Sequence, residues 1–171
     1  MCIAPAALAN GDAKEGAAHT ARDGLALAAS AADSWSDDAK LVWVENDTPL
    51  DPEGHASSWG YLYYSTTQHA MRSWSVRDGK IVGALDHVVS AAAPALEDGW
   101  QDSSAAATLA WKEGGTEFCA AGGELEHLLL ARGIFASGTA WVAVFRPAVA
   151  GPHLYLVLDA ASGHAVKSWR G

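Results

Sequence analysis

Basic residues are scarce in this sequence, and that scarcity argues against a nucleic-acid-binding protein. Its 171 residues include 11 Lys and Arg against 20 Asp and Glu, which gives a net charge of −9. Proteins that bind phosphate backbones cluster Lys and Arg on one surface, whereas here the basic residues are scattered. We expect no nucleic-acid partner. The acidic surface serves either solubility alone or the attraction of cations and basic partners.

Cysteine and long apolar runs are also scarce. The two cysteines, Cys2 and Cys119, are too few for a disulfide framework, and a single bond between them is the alternative. No apolar run approaches the ~20 residues that a membrane-spanning helix needs. The sequence therefore predicts no transmembrane segment.

The motifs of common catalytic and metal chemistry are missing as well. There is no G-x-S-x-G elbow, no phosphate loop, no G-x-G-x-x-G and no H-E-x-x-H, and the seven histidines show no zinc spacing. A thiol–imidazole pair of Cys119 and His127 has no local support. We predict that the protein is not an enzyme and has no catalytic residues, no cofactor and no metal site.

One loop is rich in oxygen ligands. It is flanked by Glu45 and contains Asp47, Asp51, Glu53 and His55. Calcium takes about six to eight oxygen ligands from a flexible loop, but this spacing does not fit the calcium-loop pattern. A solvated loop is the preferred interpretation, and calcium binding is the alternative.

What the sequence does contain is a set of similar segments at offsets of 81 to 86 residues. Trp59-Gly-Tyr-Leu-Tyr-Tyr64 resembles Trp141-Val-Ala-Val-Phe145, segment 39–44 resembles 125–130, and the turn at 77–80 has a counterpart at 159–163. Such an offset is typical of an internal duplication. We predict a tail or signal-peptide remnant at 1–20, a first half at 21–90, a connector at 91–101 and a second half at 102–171.

Hydrophobic periodicity predicts a helix followed by strands in each half. The helices are expected at 20–32 and 104–113, and both are rich in alanine. The strands are expected at 39–45, 58–66, 71–76 and 80–88 and then at 124–132, 139–146, 153–159 and 164–169. The period of 124–132 fits a helix or a strand, and the repeat favours a strand.

Aromatic residues alternate along 58–66, which places Trp59, Tyr61 and Tyr63 on one face of a strand. If that face is buried, these side chains are core packing, which is the default interpretation. If it is open, it offers rigid contact area to a peptide or sugar. We take Trp59, Tyr61 and Trp141 as candidate binding residues on this second interpretation.

The N-terminal segment resembles the end of a signal peptide. Ala7-Leu8-Ala9 fits the small-x-small cleavage pattern, although a charged n-region and a full apolar core are missing. We predict a location in the cell envelope or outside the cell, and Cys2 stands where a lipidated cysteine would. A flexible tail on a cytoplasmic protein is the alternative.

Residues 20–170 resemble a tandem pair of PepSY-type domains. Leu154-Tyr-Leu-Val-Leu-Asp159-Ala-Ala-Ser-Gly163-His-Ala-Val is similar to their terminal hairpin, whose turn reads Asp-Ala-x-Thr-Gly; here Ser162 replaces Thr. The strand that begins at Trp141 and the alanine-rich helix that follows Asp102 also match, whereas the turn at 77–80 is shorter than the family's. The resemblance implies small extracytoplasmic α+β modules, some of which restrain peptidases as propeptides, and it brings no catalytic residues.

These patterns together predict an α+β protein built from two repeated helix-plus-antiparallel-sheet halves, PepSY-like or cystatin-like. The expected function is non-catalytic binding of a protein or peptide outside the cytoplasm, such as restraint of a peptidase. The alternative is a small-ligand-binding or hydrolytic protein that uses a cavity between helix and sheet. A purely structural envelope component is the third option.

Overall fold

The strands of the chain form one antiparallel sheet, with short helices packed on one of its faces. The computed structural model describes residues 16–89, 91–120 and 122–171. The proposed cleavage pattern and Cys2 lie outside these residues, as does most of the predicted tail at 1–20.

The eight strands follow the sheet order β4-β3-β2-β1-β5-β6-β7-β8. Their bounds are β1 Lys40–Asn46, β2 Trp59–Ser65, β3 Ala70–Arg77, β4 Lys80–His87, β5 Gly123–Arg132, β6 Thr139–Pro147, β7 Leu154–Asp159 and β8 Ala165–Arg170. Each predicted strand is confirmed within a few residues, including 124–132, for which periodicity left two interpretations. Strands β1 to β4 lie within 21–90, and β5 to β8 lie within 102–171.

The helices are shorter than the sequence predicts. Helix α1 spans Leu25–Trp35 and α2 spans Ser103–Ala110; a π-helical turn at Trp111–Gly115 then leads into the short α3, Thr116–Phe118. Residue 20 lies in a turn before α1, where the Asp23 carboxylate accepts the Thr20 backbone N–H at 2.8 Å. The Asp102 carboxylate caps α2 by accepting the Ser103 N–H at 2.7 Å.

The predicted fold class of two repeated helix-plus-antiparallel-sheet halves is wrong. Strand β1 pairs with β5 through Trp43↔Ala131, Val44↔Leu130 and Glu45↔Leu129, so all eight strands belong to one sheet. Residues from both ends of the chain share one buried cluster. Periodicity describes each segment alone and says nothing of which strand edges join, so the sequence could not show that two sets of strands close into one sheet.

The helices lie close to the sheet because their inner faces are built from alanine. Ala28 and Ala32 of α1 and Ala107 and Ala110 of α2 are fully buried. A still closer approach occurs at Gly115, where an added Cβ would lie 2.3 Å from Cζ of Phe145. Small side chains at these positions let the backbone of the helical layer approach the large side chains of the strands.

Two tryptophans meet at the centre of this helix-covered face. Trp59 of β2 and Trp141 of β6 pack edge to face, with ring centroids 6.4 Å apart. Trp59 donates its indole N–H to the His19 carbonyl at 2.9 Å, and Trp141 donates to the Gln101 carbonyl at 2.8 Å. The two indoles thereby fix the segments that precede α1 and α2 to the sheet.

The opposite face of the sheet has a different character. It carries a second, smaller apolar cluster on β5, β6 and β7, to which no helix residue belongs: Leu129, Ala131, Ala140, Val142, Val144 and Val157. We call this side the open face. No helix in the described ranges is long and apolar enough to cross a membrane.

Replacement of Trp141 by alanine tests the central packing. We expect Trp141→Ala to lower the free energy of unfolding by about 3–5 kcal/mol, because it empties a fully buried site and removes an indole hydrogen bond. Chemical denaturation followed by circular dichroism measures this loss. The control is Val166→Ala on β8, where the side chain is 53% exposed; a loss of similar size in the control would contradict the central role of Trp141.

Candidate binding groove

The candidate residues from the sequence lie in the core. Trp59 and Tyr61 are 0% exposed and Trp141 is 1% exposed, and all three belong to the cluster beneath the helices. The Tyr61 hydroxyl donates to the Ala21 carbonyl at 2.8 Å, and burial raises the pKa of that hydroxyl well above its ordinary value. The three side chains are part of the buried core. An accessible site must therefore consist of other residues.

A groove of about 290 Å³ lies over β1 to β4 on the open face. Its lining includes Trp43, Glu45, Asp47, Gly60, Leu62, Ser73, Ser75 and His87. These residues come from four neighbouring strands and from the loop after β1. The groove is therefore a surface of the sheet and lies on the side away from the helices.

The floor of the groove is a row of small residues across the strands. Glu45 pairs with Gly60, Gly60 with Ser75, and Ser75 with Gly83. Side chains of directly opposed residues project from the same face of a sheet, so a row of Gly and Ser leaves a depression there. The depression is tight at Gly60, where an added Cβ would lie 2.7 Å from the Asp47 Oδ1 atom.

The next row of paired residues forms a wall. Trp43 pairs with Leu62, Leu62 with Ser73, and Ser73 with Leu85. Trp43 and Leu62 are half-buried and supply apolar contact area. The Ser73 hydroxyl lies 2.8 Å from His87 Nε2, which holds the imidazole at the far end of the groove.

The near end of the groove is acidic. The Glu45 carboxylate lies 3.3 Å from His127 Nε2, and this hydrogen bond holds the pKa of Glu45 below its ordinary value despite partial burial. Asp47 is exposed and accepts the Ser58 hydroxyl at 3.0 Å. Both acids are therefore held in place at the mouth of the groove.

A second cavity of about 400 Å³ continues from this acidic end. Asp47 lines both cavities, and the second adds Glu124 and Glu126. Arg146 bridges these two glutamates, so it compensates only part of their charge. The surface from Glu45 to Glu126 is suited to cationic groups.

The oxygen-rich loop does not assemble a cation site. Asp51 pairs with His55 at 3.0 Å, whereas Asp47 faces the groove. In residues 16–89, 91–120 and 122–171, no group of three or more His, Cys, Asp or Glu side chains is arranged to hold a metal ion. The loop thus contributes a hydrogen-bonded Asp51–His55 pair and one groove residue.

Cys119 and His127 lie in separate environments. Cys119 is half-buried against the main core, and burial raises the pKa of its thiol. The imidazole of His127 bonds to Glu45. A raised thiol pKa lowers the thiolate fraction, which is the opposite of what a nucleophilic cysteine needs.

A smaller cavity of about 250 Å³ lies between the helical layer and the sheet. Its lining includes Glu113 and Glu117 from the helical layer with Leu154, Trp169 and Arg170 from β7 and β8. The alternative function from the sequence would require a cavity at this position, between helix and sheet.

The groove residues do not appear among the candidates from the sequence, because those candidates were aromatic side chains. The aromatic candidates of β2 lie on its buried face. On the other face, Gly60 and Leu62 alternate with Trp59, Tyr61 and Tyr63 in β2, and Ser73 and Ser75 lie on either side of Trp74 in β3. Small and polar residues at every second position are typical of a solvent-facing surface. That alternation was the available signal, and it pointed to the face opposite the tryptophans.

The hydrogen bond of Glu45 predicts a pH dependence of stability. Its folded pKa lies below the ordinary value of 4.5, so its stabilising contribution is fully present above that value and is lost as pH falls through the folded pKa. We expect Glu45→Gln to destabilise the protein at neutral pH by about 1 kcal/mol or less, since the pair is partly screened by solvent. Denaturation at several pH values should show the difference between wild type and variant shrinking in acid; a difference that grows in acid would contradict this account.

The fold has a counterpart among solved structures, although the sequence has no matching family. No protein-family model matches the chain, and no curated protein matches it, so the PepSY resemblance stays a prediction. The chain is similar to the crystal structure of a putative lipoprotein from Clostridium difficile 630, with a TM-score of 0.58 over 81% of this chain and 87% of that one. At 10% sequence identity this similarity is one of fold.

Proposed function

We propose that this protein is a non-catalytic binding module that acts outside the cytoplasm and holds a basic, extended segment of a protein or peptide in the groove on its open face. The observation that carries the proposal is the depression at Gly60, with an apolar wall on one side and two fixed carboxylates at its mouth. A binding site of this kind offers apolar contact area and a few placed polar groups.

The shape of the groove supports an extended ligand. Its floor runs across the strands through Gly60 and Ser75, and the wall of Trp43 and Leu62 runs parallel to the floor. An extended chain has side chains that alternate in direction, so one set can enter the depression while the other faces solvent. Trp43 is the rigid aromatic anchor of such a contact.

The charge of the groove supports a basic ligand. Glu45 and Asp47 stand at its mouth, and Glu124 and Glu126 extend the acidic surface into the next cavity. The whole chain carries a net charge of −9, which steers cationic partners toward it. A segment of a peptidase is one such partner, and the PepSY resemblance favours restraint of a peptidase as the purpose of binding.

The proposed location rests on two separate supports. The N-terminal residues fit the end of a signal peptide, and the clostridial neighbour bears the name of a lipoprotein. We expect cell fractionation followed by immunoblotting to find the protein in the envelope or the culture fluid. Recovery with the cytoplasmic marker enzymes would contradict the proposed location.

A pair of designed peptides tests the ligand class. One alternates Arg with Val, and its matched partner alternates Glu with Val. We expect calorimetry to detect binding of the Arg peptide and none of the Glu peptide, because the acidic mouth attracts one and repels the other. The double variant Glu45→Gln, Asp47→Asn should bind the Arg peptide roughly tenfold more weakly, since each exposed ion pair contributes a fraction of the binding free energy.

A matched double variant separates the groove from the helix–sheet cavity. Glu113→Gln with Glu117→Gln removes the same charge from the other cavity and should leave the affinity unchanged. Ser75→Trp fills the groove from its floor and should abolish binding. If the Glu113 and Glu117 variant weakens binding and Ser75→Trp does not, the alternative function at the helix–sheet cavity replaces the proposal.

A further inference from the structure

Two histidines contact carboxylates of the acidic surface that borders the groove. His127 Nε2 lies 3.3 Å from Glu45 Oε2. In the same way, His153 Nε2 lies 3.3 Å from Glu126 Oε2. The side chains of the two histidines are 32% and 33% exposed, so protons from solvent reach both imidazoles. Because histidine ordinarily changes its charge between about pH 5 and pH 8, the two contacts make the charge of this surface depend on pH.

Negative groups exceed positive groups on this surface when both histidines are neutral. It carries four carboxylates and one guanidinium, which belong to Glu45, Asp47, Glu124, Glu126 and Arg146. Protonation of both imidazoles raises the number of positive groups from one to three. The hydrogen bond from His127 holds the pKa of Glu45 below its ordinary value, so this carboxylate is ionised throughout the histidine range and forms an ion pair with the imidazolium.

The charged groups that surround the two histidines come from several elements. His127 lies on β5 beside Glu45 of β1, and it lines one cavity with groups of the loop after β1, of its own strand and of β6: Asp47, Glu124, Glu126 and Arg146. His153 precedes β7, and Arg146 shares Glu126 with it. The ring of His153 also lies 6.4 Å from the ring of Tyr155, and its backbone bonds to that of Gly171. Both histidines therefore belong to one charged surface.

We propose that the groove releases its basic ligand in mildly acidic medium, because protonated His127 and His153 neutralise the carboxylates that attract the ligand at neutral pH. This inference rests on the proposed function. Each imidazolium pairs with the carboxylate that it already contacts, so the change requires no movement of the backbone. The added positive charges repel the cationic groups of the ligand. Ligand binding in turn releases protons, since ligand and protons oppose one another at the same carboxylates.

Two other histidines serve as references for this effect. His87 lines the groove from β4, whereas Glu45 lies on β1, three strands away. That separation is about 14 Å and exceeds the Debye length of about 8 Å at physiological ionic strength. His164 follows β7 and lies at the opposite end of that strand from His153, about 20 Å away. We expect neither of them to govern the charge of the acidic surface.

Calorimetry with the alternating Arg–Val peptide tests this proposal on the full-length chain. The peptide is acetylated and amidated, so that its ends carry no titrating group. Binding is measured at equal ionic strength at about pH 7.5 and about pH 5.5, on either side of the ordinary histidine value of about 6.5. We expect the wild-type protein to bind about tenfold more weakly at the lower pH.

Substitution of both histidines should remove this pH dependence. In the double variant His127→Gln, His153→Gln, the affinities at the two pH values should differ by less than about twofold, because glutamine keeps a hydrogen-bond donor and gains no charge. The ratio of the two affinities is compared within each variant, so a change of affinity common to both pH values does not enter. His87→Gln and His164→Gln should keep the wild-type ratio.

Proton release by the wild-type protein gives a second measurement that needs no variant. Titrations at about pH 6.5 in buffers of different ionisation enthalpy should show that peptide binding releases protons. Far-ultraviolet circular dichroism at both pH values confirms that each protein is folded. Absence of peptide binding at the higher pH overturns the proposed function and this inference with it. Binding that is equally tight at both pH values and releases no protons overturns the acid release alone, as does a loss in acid that persists in the double variant.

Discussion

The pairing of β1 with β5 is the contact on which the rest of the structure depends. Three residue pairs join the two four-stranded sets into one sheet. The side chain of Asn46, at the end of β1, extends this contact: its Oδ1 accepts the Leu128 N–H at 2.8 Å and its Nδ2 donates to the Glu126 carbonyl at 3.3 Å. Asn46 is 7% exposed. Its buried side-chain amide bonds to backbone groups of β5 at the bulge, where the regular pairing of strand backbones is interrupted.

A continuous sheet gives the molecule two unlike faces. On one face α1 and α2 present alanines to large aromatic side chains, and Trp59 packs on Trp141 across the seam of the two strand sets. Because both indole N–H groups donate to carbonyls, these two buried donors need no water. The other face carries the smaller apolar cluster on β5 to β7 and the groove over β1 to β4.

The same seam places the acidic end of the groove. Glu45 of β1 reaches His127 of β5 only because these strands are neighbours, and the bond keeps the Glu45 carboxylate ionised and oriented. Asp47 follows in the loop after β1, and its carboxylate lies close to Gly60. The groove, with its floor, its apolar wall and its fixed charges, thus follows from the order of the strands in the sheet. It also depends on the small side-chain volume at Gly60 and Ser75.

The sequence by itself determined the local structure, because hydrophobic period, turn residues and alanine content are properties of short segments. The eight strands and the presence of the two alanine-rich helices are readable from it. It also held the alternation of small and large residues in β2 and β3. Only the tertiary structure decided that β1 joins β5, that Trp59, Tyr61 and Trp141 face inward, and that the accessible groove is lined by Trp43, Gly60 and Ser75. Strand alternation is symmetric between the two faces of a sheet, and the choice between them is made by where the helices pack.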